Sequence, residues 1–151
     1  MCLTSVYLHP GQVFASPDPA VVTTILGSCV AVCIWDPVLR VGGANHYLLP
    51  HGAENGPSSA RFGNVAVPRL IQRLISFGSR KRSLEAKVFG GACVLKAFGE
   101  HEGRLGRKNV EVAYAVLQRE GIPVVAEDLG GDRGRKVVFH TDDGAAWVKE
   151  L

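Results

Sequence analysis

The sequence predicts an α/β (α+β) fold in which layered mixed β-sheets are flanked by helices. Three observations favour this class. Short runs rich in Val, Ile and aromatic residues dominate the first 50 residues, and two amphipathic helical segments follow with further strand-like runs between and after them. The run 30–35 is apolar at every position, which is typical of a strand that is covered on both faces.

Six segments have clear strand character, and two more have it weakly. Each is short, rich in β-branched or aromatic residues, and bounded by Gly, Pro or Asp. The clear strands are residues 21–25, 30–35, 41–49, 84–89, 124–128 and 136–140, and the weaker ones are residues 12–15 and 146–148.

Two helices are predicted from apolar stripes of helical period. The first has Pro68 near its start and Gly78 at its end. Its stripe consists of Val67, Leu70, Ile71, Leu74 and Ile75. The second covers about residues 109–120, and Gly121 is its expected terminator. Both are expected to pack one face onto the sheets.

Length and composition predict one water-soluble domain spanning residues 1–151. The chain is 46% hydrophobic and 21% charged, and its net charge of +3 is too small to indicate a nucleic-acid-binding protein. The longest uncharged stretch, residues 20–35, contains polar residues and is too short to span a bilayer. The N-terminus has no secretory signal pattern, so we expect a cytoplasmic protein.

The four cysteines do not form a recognisable metal site or disulfide framework. Cys29 and Cys33 are four residues apart, whereas Cys2 and Cys93 are distant in sequence. No paired C-x-x-C motif completes the four ligands that structural zinc requires, so we expect neither a metal nor a cofactor. Each cysteine therefore needs its own explanation. For Cys33 and Cys93, that explanation is a small buried side chain.

Cys29 differs from the other cysteines because it directly follows Gly27 and Ser28. At such a pair the chain can turn sharply and expose backbone N–H groups that stabilise an oxyanion, so Gly27 and Ser28 are candidate oxyanion or support residues. His46 stands 17 residues further on, after two glycines, where an adjacent return strand could carry a base. From the residues alone, this pair indicates a possible nucleophile and base but does not establish them.

Six segments, in this order along the chain, resemble the CheD family. They cover most of the sequence: LHPGQ (8–12), TTILGSCVAVCIWDP (23–37), GGANHYLLP (42–50), LEAKVFGGA (84–92), GRKN (106–109) and EDLGGDRGRK (127–136). The resemblance implies the fold of CheD proteins, which is shared with the catalytic domain of cytotoxic necrotizing factor toxins.

The resemblance implies a deamidase of methyl-accepting chemotaxis receptors, which converts specific receptor glutamines to glutamate and releases ammonia. It places the family's catalytic cysteine on Cys29, its histidine on His46 and its catalytic threonine on Thr23. Thr24 competes for the third role, and counting six residues back from the cysteine favours Thr23. No cofactor is implied.

Two other functions remain open at this point. The chain could be an adaptor that binds receptors or the chemotaxis phosphatase CheC with little catalysis, since CheD relatives bind CheC in some lineages. It could also hydrolyse glutamyl methyl esters on the same receptors, because an ester is an easier acyl donor for a thiolate. Ammonia release compared with methanol release separates the two reactions.

Three glycine pairs and the loop at residues 50–63 are also expected to lie near the site. Gly42–Gly43, Gly90–Gly91 and Gly130–Gly131 do not match phosphate-binding spacings, so we expect tight turns and close backbone contacts around the site. His51 opens a polar surface loop that could lie over the active site, although no catalytic role is expected for it.

Overall fold

The computed structural model describes residues 3–53, 55–56, 59–94 and 99–151, with the side chains of 99–102 left out. Within these ranges the chain forms nine strands and two α-helices. In chain order they are β1 (Thr4–Tyr7), β2 (Val13–Ser16), β3 (Ala20–Leu26), β4 (Val30–Asp36), β5 (Val41–Asn45), α1 (Gly63–Ser76), β6 (Glu85–Gly90), α2 (Gly99–Arg119), β7 (Val124–Leu129), β8 (Arg135–His140) and β9 (Ala146–Glu150). Cys2 lies outside the described residues.

The strands form two mixed sheets. One has four strands in the order β1-β3-β8-β9, and the other has five in the order β2-β5-β4-β6-β7. The pairs β1/β3 and β6/β7 are parallel, and the remaining pairs are antiparallel. The predicted class, layered mixed sheets flanked by helices, is therefore confirmed.

β4 separates two hydrophobic cores, as its continuous apolar run predicts. Val30, Val32 and Ile34 pack with both helices, whereas Ala31 and Cys33 pack with the four-stranded sheet. All five side chains are at most 2% exposed. Because successive strand residues point to opposite faces, a strand between two cores needs apolar side chains at every position.

The helix–sheet core contains the predicted stripe of α1. Leu70, Ile71 and Leu74 are almost fully buried in it, together with Val116 and Leu117 of α2. Both helices begin earlier than predicted, α1 at Gly63 and α2 at Gly99. No helix among the described residues is long and apolar enough to cross a membrane.

The segment predicted as one strand at 41–49 is interrupted after Asn45. Beyond it, Tyr47 pairs with Val30 in an isolated antiparallel bridge, and Leu49 pairs with Phe62. The predicted boundaries of the other strands agree within one or two residues, and β1 is an additional strand. The interruption after Asn45 matters because His46 lies in it.

Candidate active site

Cys29 lies in the short connection where the chain crosses from β3 in the four-stranded sheet to β4 in the five-stranded sheet. The surrounding segment holds this connection by its backbone. Ala92 donates its N–H to the Gly27 carbonyl at 2.9 Å, and Gly91 donates to the Cys29 carbonyl at 2.9 Å. The nucleophile candidate is thus on a fixed turn, and it is partly exposed.

Gly90 is required for this close approach. Its φ is +113°, and a Cβ atom there would lie 2.1 Å from the Cys29 carbonyl oxygen. Gly130 donates its N–H to the Gly90 carbonyl, and Cys93 donates to the Gly131 carbonyl. The expected close backbone contacts at the second and third glycine pairs are therefore confirmed.

Asn109 of α2 ties together the two chain segments that carry the candidate dyad. Its Nδ2 atom donates to the Ser28 carbonyl at 3.0 Å and to the Leu48 carbonyl at 2.9 Å. Its side chain is fully buried. Sequence reasoning missed this residue, because an Asn at the expected start of a helix ordinarily indicates a cap, and the only further signal was its place in the GRKN motif.

His46 and Cys29 lie on the same side of the five-stranded sheet. Val30 and Tyr47 exchange both backbone hydrogen bonds, at 3.1 and 3.0 Å, and this register places Ala31 opposite His46. Cys29 and Ala31 share a face, so Cys29 and His46 are diagonal neighbours across the strand pair. That face looks towards the four-stranded sheet, so the structure places the two predicted residues on one face as diagonal neighbours.

The threonine next to His46 is Thr24. Its Oγ1 lies 2.7 Å from Nδ1 of His46, and its side chain is only 3% exposed. Thr23 projects from the opposite face of β3, because adjacent strand residues alternate and Thr24 shares the inward face with Val22 and Leu26. The sequence favoured Thr23 for the contact with the histidine, and this is corrected here: Thr24 makes the contact.

The hydrogen bonds of Thr24 determine which nitrogen of His46 carries the proton. The Thr24 hydroxyl has one proton, which it donates to the Leu8 carbonyl at 2.7 Å. Its oxygen must then accept the hydrogen bond from Nδ1–H of His46. Nε2 is left with a lone pair, and this buried atom has no hydrogen-bond partner among the described residues. The ring is arranged to accept a proton at Nε2.

Burial keeps His46 in its neutral form. Desolvation is the largest cause, the Leu8 carbonyl opposes it and the charge of His9 adds to it, and together they lower the pKa of His46 from 6.5 to about 4. The imidazole is therefore uncharged at neutral pH. A neutral ring is the form that can act as a general base.

The other described cysteines are in different surroundings. Cys33 is 2% exposed in the core between the sheets, and burial raises the pKa of its thiol to about 12 while Lys87 opposes this rise. The prediction that Cys33 is a small buried side chain is confirmed. Cys93 is only partly buried.

One cluster of side chains among the described residues has donor atoms suited to a metal ion. His140, Asp142 and Asp143 place ligand atoms within 4.8 Å of one another, at the turn after β8. His140 pairs with Val21, near the start of β3, whereas Cys29 follows the end of that strand. The cluster is therefore separate from the dyad.

The family model and the similar proteins indicate the same family. The family model described as CheD chemotactic sensory transduction matches residues 48–150. A probable chemoreceptor glutamine deamidase CheD 1 of Anaeromyxobacter dehalogenans is 54% identical over 97% of this chain and 84% of its own length. A probable chemoreceptor glutamine deamidase CheD of Sulfurimonas denitrificans is 39% identical over 95% of this chain and 92% of its own.

Among solved structures, the hypothetical protein YfiH of Bacillus licheniformis is similar at a TM-score of 0.45 and 17% identity. The match covers 71% of this chain and 45% of that protein. The score is too low to support a functional argument.

The low pKa of His46 predicts a pH-dependent stability. Between the ordinary value of 6.5 and the folded value of about 4, the unfolded chain binds a proton at His46 and the folded chain does not. Folding should therefore weaken as pH falls through this window, by about 2 kcal/mol between pH 7.5 and pH 5. Urea unfolding of the wild type and of His46→Gln at both pH values measures this. An equal loss in both proteins would contradict the assignment.

Proposed function

The chain belongs to the CheD family, and we propose that it deamidates specific glutamine side chains of methyl-accepting chemotaxis receptors to glutamate, with release of ammonia. The observation that carries this proposal is the buried hydrogen bond from His46 to Thr24, which leaves Nε2 as a base on the face shared with Cys29. The names of the relatives indicate the substrate class, and the cytoplasmic part of such receptors would be the place of action.

The reaction begins with proton transfer from the Cys29 thiol to Nε2 of His46. The thiolate attacks the carboxamide carbon of the glutamine and forms a C–S bond, while the carbonyl oxygen becomes an oxyanion. The imidazolium then returns its proton to the amide nitrogen, the C–N bond breaks, and ammonia leaves. A thioester to Cys29 remains.

Water completes the reaction. Nε2 of His46 removes a proton from a water molecule, whose oxygen attacks the thioester carbon. The C–S bond breaks, the thiolate recovers its proton from the imidazolium, and glutamate is released. Because His46 is neutral before it takes a proton from Cys29 and again after ammonia has left, the same nitrogen serves as base in both halves of the reaction.

The connection at 27–29 is suited to hold the oxyanion. All three of its carbonyls accept hydrogen bonds from surrounding groups: Gly27 from Ala92, Ser28 from Asn109, and Cys29 from Gly91. In a planar trans peptide the next N–H points away from the carbonyl. The N–H groups of Ser28 and Cys29 are therefore turned away from those partners, and we assign them to the oxyanion.

Thr24 takes the role of the third catalytic-site residue in this proposal. It touches His46 rather than the substrate, so it is a positioning residue that fixes the ring and its tautomer. Thr23, which the family spacing favours, lies on the outer face of the four-stranded sheet beside Tyr7 and Val138.

The activity is tested with purified cytoplasmic fragments of a methyl-accepting receptor. We expect the wild type to release ammonia and to add about one dalton for each modified glutamine. Cys29→Ala should lose at least about 10³-fold, whereas Cys33→Ala, which removes a thiol from the core, should retain activity. Methanol release without ammonia would indicate the esterase instead, and undiminished activity of Cys29→Ala would refute the mechanism.

The two threonines offer a matched pair of variants. Thr24→Val should lower kcat about 10- to 100-fold with little change in KM, because a misplaced ring costs rate rather than binding. Thr24→Ser keeps the hydroxyl, so it should retain most of the wild-type rate and the wild-type pH profile. A variant that recovers only the structure, without the hydroxyl, would not do so. Thr23→Val should behave as the wild type. Loss of activity in Thr23→Val with a normal Thr24→Val would reverse the assignment.

A further inference from the structure

A groove of about 690 Å³ lies between the two helices. Its floor is apolar and is formed by Val65, Pro68, Val112, Ala115 and Val116. Polar side chains form its margins: His51, Asn64, Arg69, Gln72 and Arg119. Clefts between packed helices are common ligand-binding sites.

One turn of α2 separates the groove from Asn109, which contacts the connection that carries Cys29. Gly63, the first residue of α1, packs closely against Tyr47 and Val112. Val112 lies one helical turn beyond Asn109, whose side chain holds the Ser28 carbonyl. His51, at the margin, follows His46 by five residues. Along α2, the groove residues Val112, Ala115 and Arg119 therefore lie progressively further from Asn109 and from the connection that carries Cys29.

The charge of the groove is positive. Arg69 and Arg119 stand on its two sides, and no Asp or Glu lines it within the described part of the chain. Arg69 is held in place by a hydrogen bond from Nη2 to the hydroxyl of Ser59, at 2.8 Å. Glu120 forms an ion pair with Arg119 at 3.7 Å and a second one with Lys81, so two cations share one carboxylate. The charge of Arg119 is therefore not fully neutralised within the protein.

We propose that this groove docks an acidic amphipathic helix of the protein substrate, next to the glutamine that is modified. This rests on the proposed function and adds to it the surface that selects the substrate. The wall from Asn64 to Gln72 is ~12 Å long, which matches about two turns of a helix. Apolar residues at i, i+3, i+4 and i+7 fit the floor, and acidic residues on either side meet Arg69 and Arg119.

Three variants test this surface. Arg69→Glu and Arg119→Glu reverse the charge on each wall, and Ala115→Trp fills the groove from an exposed position without changing charge. The matched control is Lys149→Glu, which reverses an exposed charge on β9 of the four-stranded sheet. Each protein is examined with the receptor cytoplasmic fragment for Kd, in a Cys29→Ala background, and for KM of ammonia release.

We expect the three groove variants to raise Kd and KM at least tenfold and Lys149→Glu to change neither by more than about twofold. Alkylation of Cys29 by iodoacetamide at the wild-type rate verifies that the site is intact. Wild-type Kd and KM in the groove variants would overturn the docking site while leaving the deamidase standing. An equal weakening by Lys149→Glu would also overturn it, since it would show a general charge effect.

The two proposals fail in different ways. If the wild type binds the fragment but releases no ammonia, the deamidase proposal falls, and the groove is judged by the Kd values alone. If the wild type neither binds nor reacts, both are overturned. If binding is lost only in the groove variants, the docking site is supported whether or not the wild type releases ammonia.

Discussion

The hydrogen bond between Thr24 and His46 joins the two sheets at the site, and the chemistry depends on it. Thr24 comes from the four-stranded sheet and His46 from the chain beyond β5 of the five-stranded sheet. The Leu8 carbonyl fixes the direction of the hydroxyl, and the hydroxyl fixes the tautomer of the ring. A histidine ring in water would exist as both tautomers and would gain a second ring proton as the pH falls through its ordinary pKa of 6.5. Burial between the two sheets fixes one tautomer of His46 and keeps the ring neutral.

The same arrangement explains why the surroundings of Cys29 are rich in glycine and contain a buried amide. A turn between two packed sheets leaves little room, and the segment at 90–92 reaches its carbonyls only because Gly90 has no Cβ. Asn109 supplies the donors for the remaining carbonyl and for Leu48 beyond the histidine. Buried carbonyls without donors would cost about 1–3 kcal/mol each, so these contacts stabilise the fold and orient the turn together.

The sequence predicted the parts of this structure that depend on local pattern. The continuous apolar run of β4 indicated a strand between two cores, and the stripe of α1 identified its buried face. Thr24 could not be distinguished from Thr23 in this way, because Val21, Val22, Ile25 and Leu26 are all apolar and alternation leaves the inward face undecided. The role of Asn109 depends on contacts with residues 61 and 81 positions away, which no local pattern contains. The early start of α2 was hidden by three glycines and several charged residues between 99 and 108.

The central claim is that His46 is neutral and carries its proton on Nδ1 while Nε2 is unprotonated. Long-range proton–nitrogen NMR correlations of the ring, in protein labelled with ¹⁵N at histidine, report both states directly. At pH 7 the account predicts a protonated Nδ1 and an unprotonated Nε2 for His46, with a mixture of tautomers in Thr24→Val. A doubly protonated ring at pH 7, or a proton on Nε2 in the wild type, would contradict it.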